Sequence, residues 1–287
     1  MKTNYEKEYT IKADSPSEVP TLEITTKVGC VVNCRYCPQK ILKEQYTLRS
    51  LKRELTFDVY KTCINKLPAN AIVCFGGFCE PFLSKDIIKM ILYANEAHKE
   101  ISIFTTLVGM TIEKFEMIKN IPFRKVVIHL PDEKNFANIP LTQEYLKLLN
   151  YILETRNEAG KLFVDKMTCQ AKPNAVIWDI VKDKYHVSWN MTNRAGNLKY
   201  PELPTFANFK GPLRCRLSNF NHNVLLPNGD VVLCSFDFGL KHVLGNLLHE
   251  DYNQIMNSSM MNYIKSEALK RNPNILCCLC SEARVIQ

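Results

Sequence analysis

The chain has 287 residues, of which 46% are hydrophobic, and a formal net charge of +8. This length suffices for one large domain, or for one domain with a small second one, and the hydrophobic content allows a sizeable core. Lys and Arg are spread along the chain with no run of five or six, which favours a solvated surface over a nucleic-acid-binding stripe. No apolar run is long enough to span a bilayer. We therefore expect neither membrane insertion nor direct binding of nucleic acid.

Cysteine is unusually frequent, with twelve residues in the chain. The first residues, Met-Lys-Thr-Asn-Tyr-Glu-Lys-Glu, are charged and contain no apolar core, so we expect no secretory signal peptide. In the cytoplasm thiols stay reduced and are available for metal binding rather than for disulfide bonds. We therefore predict a cytoplasmic protein that uses its cysteines to hold metal.

Strand-like and helix-like stretches alternate from residue 21 to residue 191, after a polar N-terminal extension over 1–20. Six β-α units in succession imply a parallel sheet with helices outside it, and six are fewer than the eight of a closed TIM barrel. The class is therefore α/β. The predicted strands are 21–28, 71–75, 101–106, 125–130, 162–168 and 185–191. The predicted helices are 57–67, 84–99 with Ser84 as N-cap, 111–119 with Thr111 as N-cap, 142–159 closed by Gly160, and a short one near 174–181.

The composition changes after about residue 193, where frequent Pro and Gly predict a linker over 193–212. The following residues, 213–287, predict a small α+β domain. Its predicted strands are 222–226 and 231–234, and the sequence Pro-Asn-Gly-Asp between them is typical of a hairpin turn. One helix is predicted over roughly 251–270.

Three cysteines, Cys30, Cys34 and Cys37, follow the first predicted strand. Three thiolates on one short loop can hold three irons of a cubane [4Fe–4S] cluster, whereas ordinary electron-transfer clusters are closed by four cysteines. No fourth cysteine follows nearby, so one iron lacks a protein ligand and can bind a small molecule. Structural zinc and unrelated core cysteines are the alternatives, but structural zinc usually uses two CxxC or Cys/His pairs and this loop contains one.

The spacing of these cysteines, with the aromatic Tyr36 just before the third, resembles the radical S-adenosylmethionine (SAM) superfamily. The resemblance covers nearly the whole chain, from about residue 20 to 280, and implies a partial (β/α)6 TIM-like barrel over 21–192. It implies that the open iron chelates the amino and carboxylate groups of SAM, and that the reduced cluster cleaves SAM to methionine and a 5′-deoxyadenosyl radical. It also implies an electron donor such as flavodoxin or ferredoxin.

The resemblance also points to residues at the carboxyl ends of the strands, where ligands bind in such sheets. Gly76 and Gly77 follow the second strand, and paired glycines let the backbone approach a ligand closely. A Gly-Gly-Glu element at this place binds the SAM amino group in the superfamily, and Glu80, displaced by two residues, is assigned to the same environment. Thr105 and Thr106 end the third strand, where hydroxyls suit the ribose or carboxylate of SAM, although strand packing explains them nearly as well. The predicted cofactor-binding set is Tyr36, Gly76, Gly77, Glu80, Thr105, Thr106 and Arg194.

Four residues after later strands are candidates for contact with substrate. His129 and Asp132 end the fourth strand, although a single His in a strand more often belongs to the core. Arg194 follows the sixth strand, where it either binds a carboxylate or phosphate bidentately or is a plain linker charge. Cys169 follows the fifth strand, either as a packing residue or as a hydrogen-atom donor. His129, Asp132 and Arg194 are also candidates for the group that takes a proton from the substrate.

Cysteines in the last third of the chain predict a second metal site. The first is followed after thirteen residues by a glycine and after four more by a second cysteine, and a CxxC pair stands near residue 280. The pattern resembles the SPASM domain in its shortened form, the twitch domain, which holds one auxiliary [4Fe–4S] cluster. Zinc bound by four thiolates is the alternative. The implied ligands are Cys215, Cys234, Cys277 and Cys280, with Cys278 as an alternative to Cys277.

A cluster closed by four thiolates has no open iron for substrate, so its expected role is to move an electron. This favours net two-electron oxidation, and the cysteine plan resembles the radical SAM dehydrogenases that oxidise 2-deoxy-scyllo-inosamine. We therefore predict a radical SAM oxidoreductase that oxidises a secondary alcohol of a sugar, cyclitol or nucleotide-sugar, with two [4Fe–4S] clusters and SAM as cofactors. A radical SAM epimerase or peptide-modifying maturase is the alternative, and a non-catalytic zinc-binding protein is a more distant one.

Overall fold

The computed structural model describes residues 18–189, 191–199 and 209–286. Parts of the predicted N-terminal extension and of the predicted linker lie outside these ranges, and so does residue 190 of the sixth predicted strand. The predicted domain boundaries stay a prediction.

Six parallel strands cross the centre of the fold, each beside its neighbour in chain order. Most of their apolar residues are shielded from water, Trp189 being an exception, and all four residues of the second strand are buried, as expected for a parallel sheet covered by helices. The predicted α/β class is confirmed. The strands are β1 (Thr21–Ile24), β2 (Ile72–Phe75), β3 (Glu100–Thr105), β4 (Lys125–His129), β5 (Lys166–Cys169) and β6 (Val187–Trp189).

The helices of this part of the chain lie between the strands and cover the sheet. Thr111 and Thr142 cap two of them, because each hydroxyl accepts a bond of 3.2 Å from a backbone N–H three residues later. Every helix in the described ranges is too short or too polar to span a membrane. The helices are α1 (Gln39–Thr47), α2 (Phe57–Ile64), α3 (Ile87–Glu96), α4 (Ile112–Ile118), α5 (Gln143–Glu154) and α6 (Ala175–Val181).

Several helix boundaries differ from the sequence-based expectation. The helix predicted to reach Gly160 ends at Glu154, because the chain turns back and Arg156 bridges Leu162. Ser84 does not cap α3, since a 3₁₀ turn over Pro81–Leu83 comes first and the N-cap of α3 is Asp86. Helix α1 was not predicted at all, because a polar residue, Gln39, occupies the first of its buried positions.

The C-terminal region contains short strands and two helices. The single helix predicted over 251–270 is divided, because Ser258 caps a new helix by accepting from the backbone N–H of Met261. The elements are β7 (Leu213–Cys215), β8 (His222–Leu225), β9 (Asp230–Val232), β10 (Val243–Asn246), α7 (Tyr252–Met256), α8 (Ser259–Ala268) and β11 (Ala283–Val285). Strand β11 pairs with β7, antiparallel.

The predicted hairpin is part of the central sheet. Strand β8 runs parallel to β1, with Thr21 opposite His222 and Ile24 opposite Leu225. Within the described residues the sheet therefore has nine strands in the order β10-β9-β8-β1-β2-β3-β4-β5-β6. Because β9 runs antiparallel to β8, this pairing places the segment after β9, which contains Cys234, at the edge of the sheet where β8 and β1 begin.

Candidate functional site

The loop that carries Cys30, Cys34 and Cys37 connects β1 to α1 at the carboxyl end of the sheet. Its backbone turns sharply, with a bond of 3.0 Å from the N–H of Cys37 to the carbonyl of Cys34. The loop after β4 supports it from outside, since the Asn138 side-chain amide donates to the carbonyl of Val32 at 2.8 Å. The three cysteines are therefore held on a fixed turn.

The three thiols influence one another electrostatically. Burial, with smaller contributions from Cys34 and Cys30, raises the pKa of the Cys37 thiol to about 12, although Gln39 and Arg194 oppose the rise. Burial likewise raises the pKa of Cys34, with a further contribution from Cys30. Thiols that raise one another's pKa lie close together, and a cluster that binds them must supply the positive charge that makes them thiolates. This donor set fits three irons of a cubane, whose separate corners do not require ligands to converge on one point. In the described ranges, no three His, Cys, Asp or Glu residues are arranged around a single ion.

Gln39, which the sequence did not suggest, ties the cysteine loop to the glycine loop after β2. Its side-chain carbonyl accepts from the N–H of Cys30 at 3.2 Å. Its amide donates to the Cys37 sulfur at 3.1 Å and to the carbonyl of Phe78 at 2.6 Å. The side chain is buried, so water could not take over its hydrogen bonds to these partners. Nothing in the local sequence pattern signals such a bridge.

Replacement of Gln39 by Leu is expected to slow reductive cleavage of SAM by about tenfold or more, because a buried hydrogen bond to a cluster sulfur and two backbone bonds are lost. The rate of 5′-deoxyadenosine formation and the electron paramagnetic resonance (EPR) signal of the reduced first cluster measure the effect. Gln45→Leu on the exposed face of the same helix is the matched control. A wild-type rate and an unchanged signal in Gln39→Leu would contradict this role.

Glu80, Thr105 and Thr106 form one buried network. The Glu80 carboxylate accepts from Thr105 Oγ1 at 2.7 Å, and from the N–H and Oγ1 of Thr106 at 2.6 and 2.7 Å. The N–H of Phe82 donates to it at 3.2 Å. Burial raises the pKa of Glu80 above its ordinary value, and these hydrogen bonds offset part of the rise. These donors use most of the carboxylate's acceptor capacity, so Glu80 fixes the end of β3. Its contact with SAM stays a prediction.

The glycine loop lies directly against the end of β1. Gly77 has a φ of +63°, and a Cβ there would lie 2.6 Å from Thr25 Oγ1, so the position requires glycine. The hydroxyl of Thr25 also accepts from the N–H of Phe78 at 3.3 Å. The backbone of Gly76 and Gly77 was predicted to approach a ligand closely. In the structure Gly77 packs closely against Thr25, just after β1.

Arg194 lies between the cysteine loop and the C-terminal region. Its guanidinium carbon is 5.6 Å from the ring centre of Tyr36 and 5.1 Å from that of Phe236. The residue has a φ of 47°, and Asn197 holds the turn by donating to the carbonyls of Arg194 and Phe236 at 2.8 and 3.1 Å. Arg194 also helps to lower the pKa of His129. Two predicted residues, Tyr36 and Arg194, are therefore in contact, and Arg194 acts electrostatically on a third, His129.

The other substrate candidates differ in accessibility. His129 Nδ1 is 2.7 Å from Thr168 Oγ1, and burial, then Arg194 and Lys166, lower its pKa to about 4, so the imidazole is neutral at neutral pH. The Asp132 carboxylate accepts three backbone bonds from residues 134, 136 and 137 and thereby shapes the loop after β4. Cys169 belongs to β5 rather than to the segment after it, is 2% exposed, and donates to the carbonyls of Leu130 and Pro131. Their catalytic roles stay predictions.

The four predicted auxiliary ligands also form a group. Burial raises the pKa of Cys277, with further contributions from Cys280 and Cys215, and Cys277 and Cys280 in turn raise the pKa of Cys234. Burial raises the pKa of Cys280 to about 11. Four thiols that interact in this way suit a second cubane cluster. The alternative ligand, Cys278, also raises the pKa of Cys277, but its own buried thiol donates to the carbonyl of Pro273 at 3.0 Å.

The fold is shared with solved structures. BtrN in complex with AdoMet and 2-DOIA matches with a TM-score of 0.61 and 17% sequence identity, with 95% of each chain covered. SuiB of Streptococcus suis, bound to the precursor peptide SuiA, matches with a TM-score of 0.59 and 15% identity, over 91% of this chain and 69% of that one. The structure of anSMEcpe with bound AdoMet matches with a TM-score of 0.57 and 13% identity, over 91% and 83% of the two chains.

The C-terminal region matches a family of known chemistry. Residues 215–281 match the family model of the SPASM iron–sulfur cluster-binding domain, a range that contains all four predicted auxiliary ligands. No curated protein sequence matches the chain. The SPASM match and the shared fold confirm the resemblance to radical SAM enzymes with a SPASM-type domain.

Proposed function

We propose that the chain cleaves SAM reductively and uses the 5′-deoxyadenosyl radical to oxidise a secondary alcohol of a sugar, cyclitol or nucleotide-sugar. The observation that carries the proposal is the presence of two cysteine sets, three on the loop after β1 and four within the residues that match the SPASM model. When bound, the first cluster would supply the electron that cleaves SAM, and the second would accept the electron that the substrate loses.

The residues of this chain would act around those groups. Cys30, Cys34 and Cys37 would hold the first cluster, and the rigid end of β3 beyond Glu80 would border the SAM site. Conversion of the alcohol to a ketone would remove one hydrogen atom, one electron and one proton from the substrate, and the proton would pass to a base of this chain. His129 is neutral and can accept that proton, although a pKa of about 4 makes it a weak base. Arg194 would orient an anionic group of the substrate.

A cleft beside the cysteine loop supports binding of a small molecule. It has a volume of about 620 Å³ and is lined by Val31, Val108, Asp132, Lys134 and Asn138, among others. This volume lies within the range of ligand pockets in proteins. The cleft lies between the loops after β1, β3 and β4, where ligands bind in parallel sheets.

Two of the similar structures suggest different substrates. BtrN was solved with the small molecule 2-DOIA, and SuiB with a peptide. The cleft of about 620 Å³ beside the cysteine loop favours the small-molecule substrate over a peptide. Peptide modification and epimerisation are the second candidates. A substrate epimerised by this chain would need a hydrogen donor, for which Cys169→Ala is the test.

Anaerobic reconstitution with iron counting tests the proposal directly. Two cubanes predict about eight irons per chain, and dithionite reduction with SAM should yield 5′-deoxyadenosine. A panel of deuterated sugars, cyclitols and nucleotide-sugars should then reveal a substrate that transfers deuterium to deoxyadenosine and is released as a ketone. Tight zinc at the C-terminal site, with no SAM cleavage, would refute the enzyme assignment. Transfer of deuterium without a ketone product would favour the epimerase instead.

A further inference from the structure

Glu23, in the middle of β1, contacts three distant segments through its carboxylate. Oε2 accepts from the N–H of Gly77 at 3.0 Å, and Oε1 accepts from Ser235 Oγ at 3.1 Å. His222 Nε2 lies 2.7 Å from Oε1 as an ion-pair partner. The carboxylate side chain is 14% exposed. One buried group thus joins β1 to the glycine loop, to β8 and to the segment after β9.

Two of these segments belong to the two cysteine sites. Gly77 lies in the loop that the cysteine loop reaches through Gln39, whose amide donates to the Phe78 carbonyl. Ser235 directly follows Cys234, whose pKa is raised by burial and by Cys277. The Glu23 carboxylate is therefore a direct polar link between the SAM side and the auxiliary side of the molecule.

The charges of the pair fit this arrangement. Although burial alone would raise it, the pKa of Glu23 is lowered by His222, Ser235 and Gly77. The pKa of His222 is raised, because Glu23 outweighs the opposing effects of burial and Lys125. An ion pair inside a protein contributes little net stability, because removing both charges from water costs about as much as their attraction returns. Its contribution here is geometric, since both carboxylate oxygens are directed at defined partners.

We propose that Glu23 is a positioning residue that holds the glycine loop and the Cys234 loop in a fixed relation and thereby couples SAM cleavage to oxidation of the substrate. The coupling part of this inference rests on the proposed function. Loss of the link would let the auxiliary loop move relative to the SAM site, so that SAM is cleaved without formation of product. The β1–β8 pairing should remain in place in such a variant, because main-chain groups make it.

Hydrogen–deuterium exchange on the anaerobically reconstituted full chain tests the positioning role without reference to activity. In Glu23→Ala, amides of the glycine loop and of the loop after Cys234 should exchange about tenfold faster, since bonds to a charged acceptor are lost. Ser235→Ala should release only the second loop. Glu54→Gln is the matched control, because Glu54 is paired with Lys27 on the surface and its side chain is 61% exposed.

The isosteric variant Glu23→Gln keeps the shape and tests coupling if Glu23→Ala folds poorly. We expect deoxyadenosine to exceed oxidised product by several fold in this variant, with normal iron content and a changed EPR signal of the auxiliary cluster. Unchanged exchange in both loops of Glu23→Ala, or a uniform increase over all strands, would overturn the positioning role. If SAM is not cleaved even by the wild type, the proposed function fails while the exchange result still decides the role of Glu23.

Discussion

Replacement of Cys30, Cys34 or Cys37 by Ala is expected to reduce 5′-deoxyadenosine formation to below detection. Each thiol would hold one iron of the SAM-binding cluster, and the loop offers no spare thiol within its own turn. Iron content should fall from about eight to about four per chain, the content of one cubane. Product chromatography after dithionite reduction, together with iron analysis, measures both effects.

Cys63→Ala is the control for these variants. Cys63 is fully buried in α2, and its substitution removes a thiol from the core without touching the cysteine loop. It should retain both clusters and SAM cleavage, at a modest loss of stability. Persistent SAM cleavage in Cys34→Ala would show that the loop is not the site of the radical chemistry.

Replacement of Cys277 or Cys280 by Ala is expected to separate SAM cleavage from product formation. The iron content should again fall to about four per chain, but the EPR signal of the SAM-binding cluster should remain. Deoxyadenosine should still form on reduction, whereas the ketone should drop by at least about a hundredfold because the electron acceptor is lost. Mössbauer or EPR spectra and product analysis check these outcomes together.

Cys278→Ala is a closely matched comparison for this pair. Its thiol donates to the Pro273 carbonyl, so the variant should keep about eight irons and form product. Equal loss of iron in Cys277→Ala and Cys278→Ala would contradict the assignment of Cys277. Retained product formation in Cys280→Ala would exclude the auxiliary site as electron acceptor.

Strand positions could be predicted where a strand is a short apolar run, whereas β5, which contains Lys166 and Thr168, begins four residues later than the predicted 162–168. The run Ile72–Phe75, for example, is buried along its whole length. The end of α5 at Glu154 could not be predicted, because the residues that follow are also compatible with a helix. The helix ends where the chain turns back and Arg156 pairs with Leu162, which the local sequence pattern does not indicate. The place of β8 beside β1 depends on a contact between residues about 200 positions apart, which local periodicity does not encode.

The candidate site could be predicted where its residues have a characteristic spacing in the sequence. The cysteine spacing and the Gly-Gly element can be recognised in the sequence. Glu80, Thr105 and Thr106, which were predicted beside them, form one hydrogen-bonded network. Gln39 and Glu23 were missed, because a single amide or carboxylate that joins separate loops has no characteristic spacing. Such residues become visible only when the hydrogen bonds of each buried polar group are traced.

The strand order has a consequence for the kinetics of folding. Strand β1 is among the first elements to be synthesised, but one of its two edges pairs with β8, where Thr21 meets His222. Closing a loop of about 200 residues costs conformational entropy, and this cost slows the pairing of β8 with β1. Until the two strands pair, that edge of β1 has free backbone donors and acceptors. A nascent chain that stops before residue 222 would carry an open sheet edge. Refolding should therefore show a slow phase and aggregation that both depend on the C-terminal hairpin, whether or not iron is present.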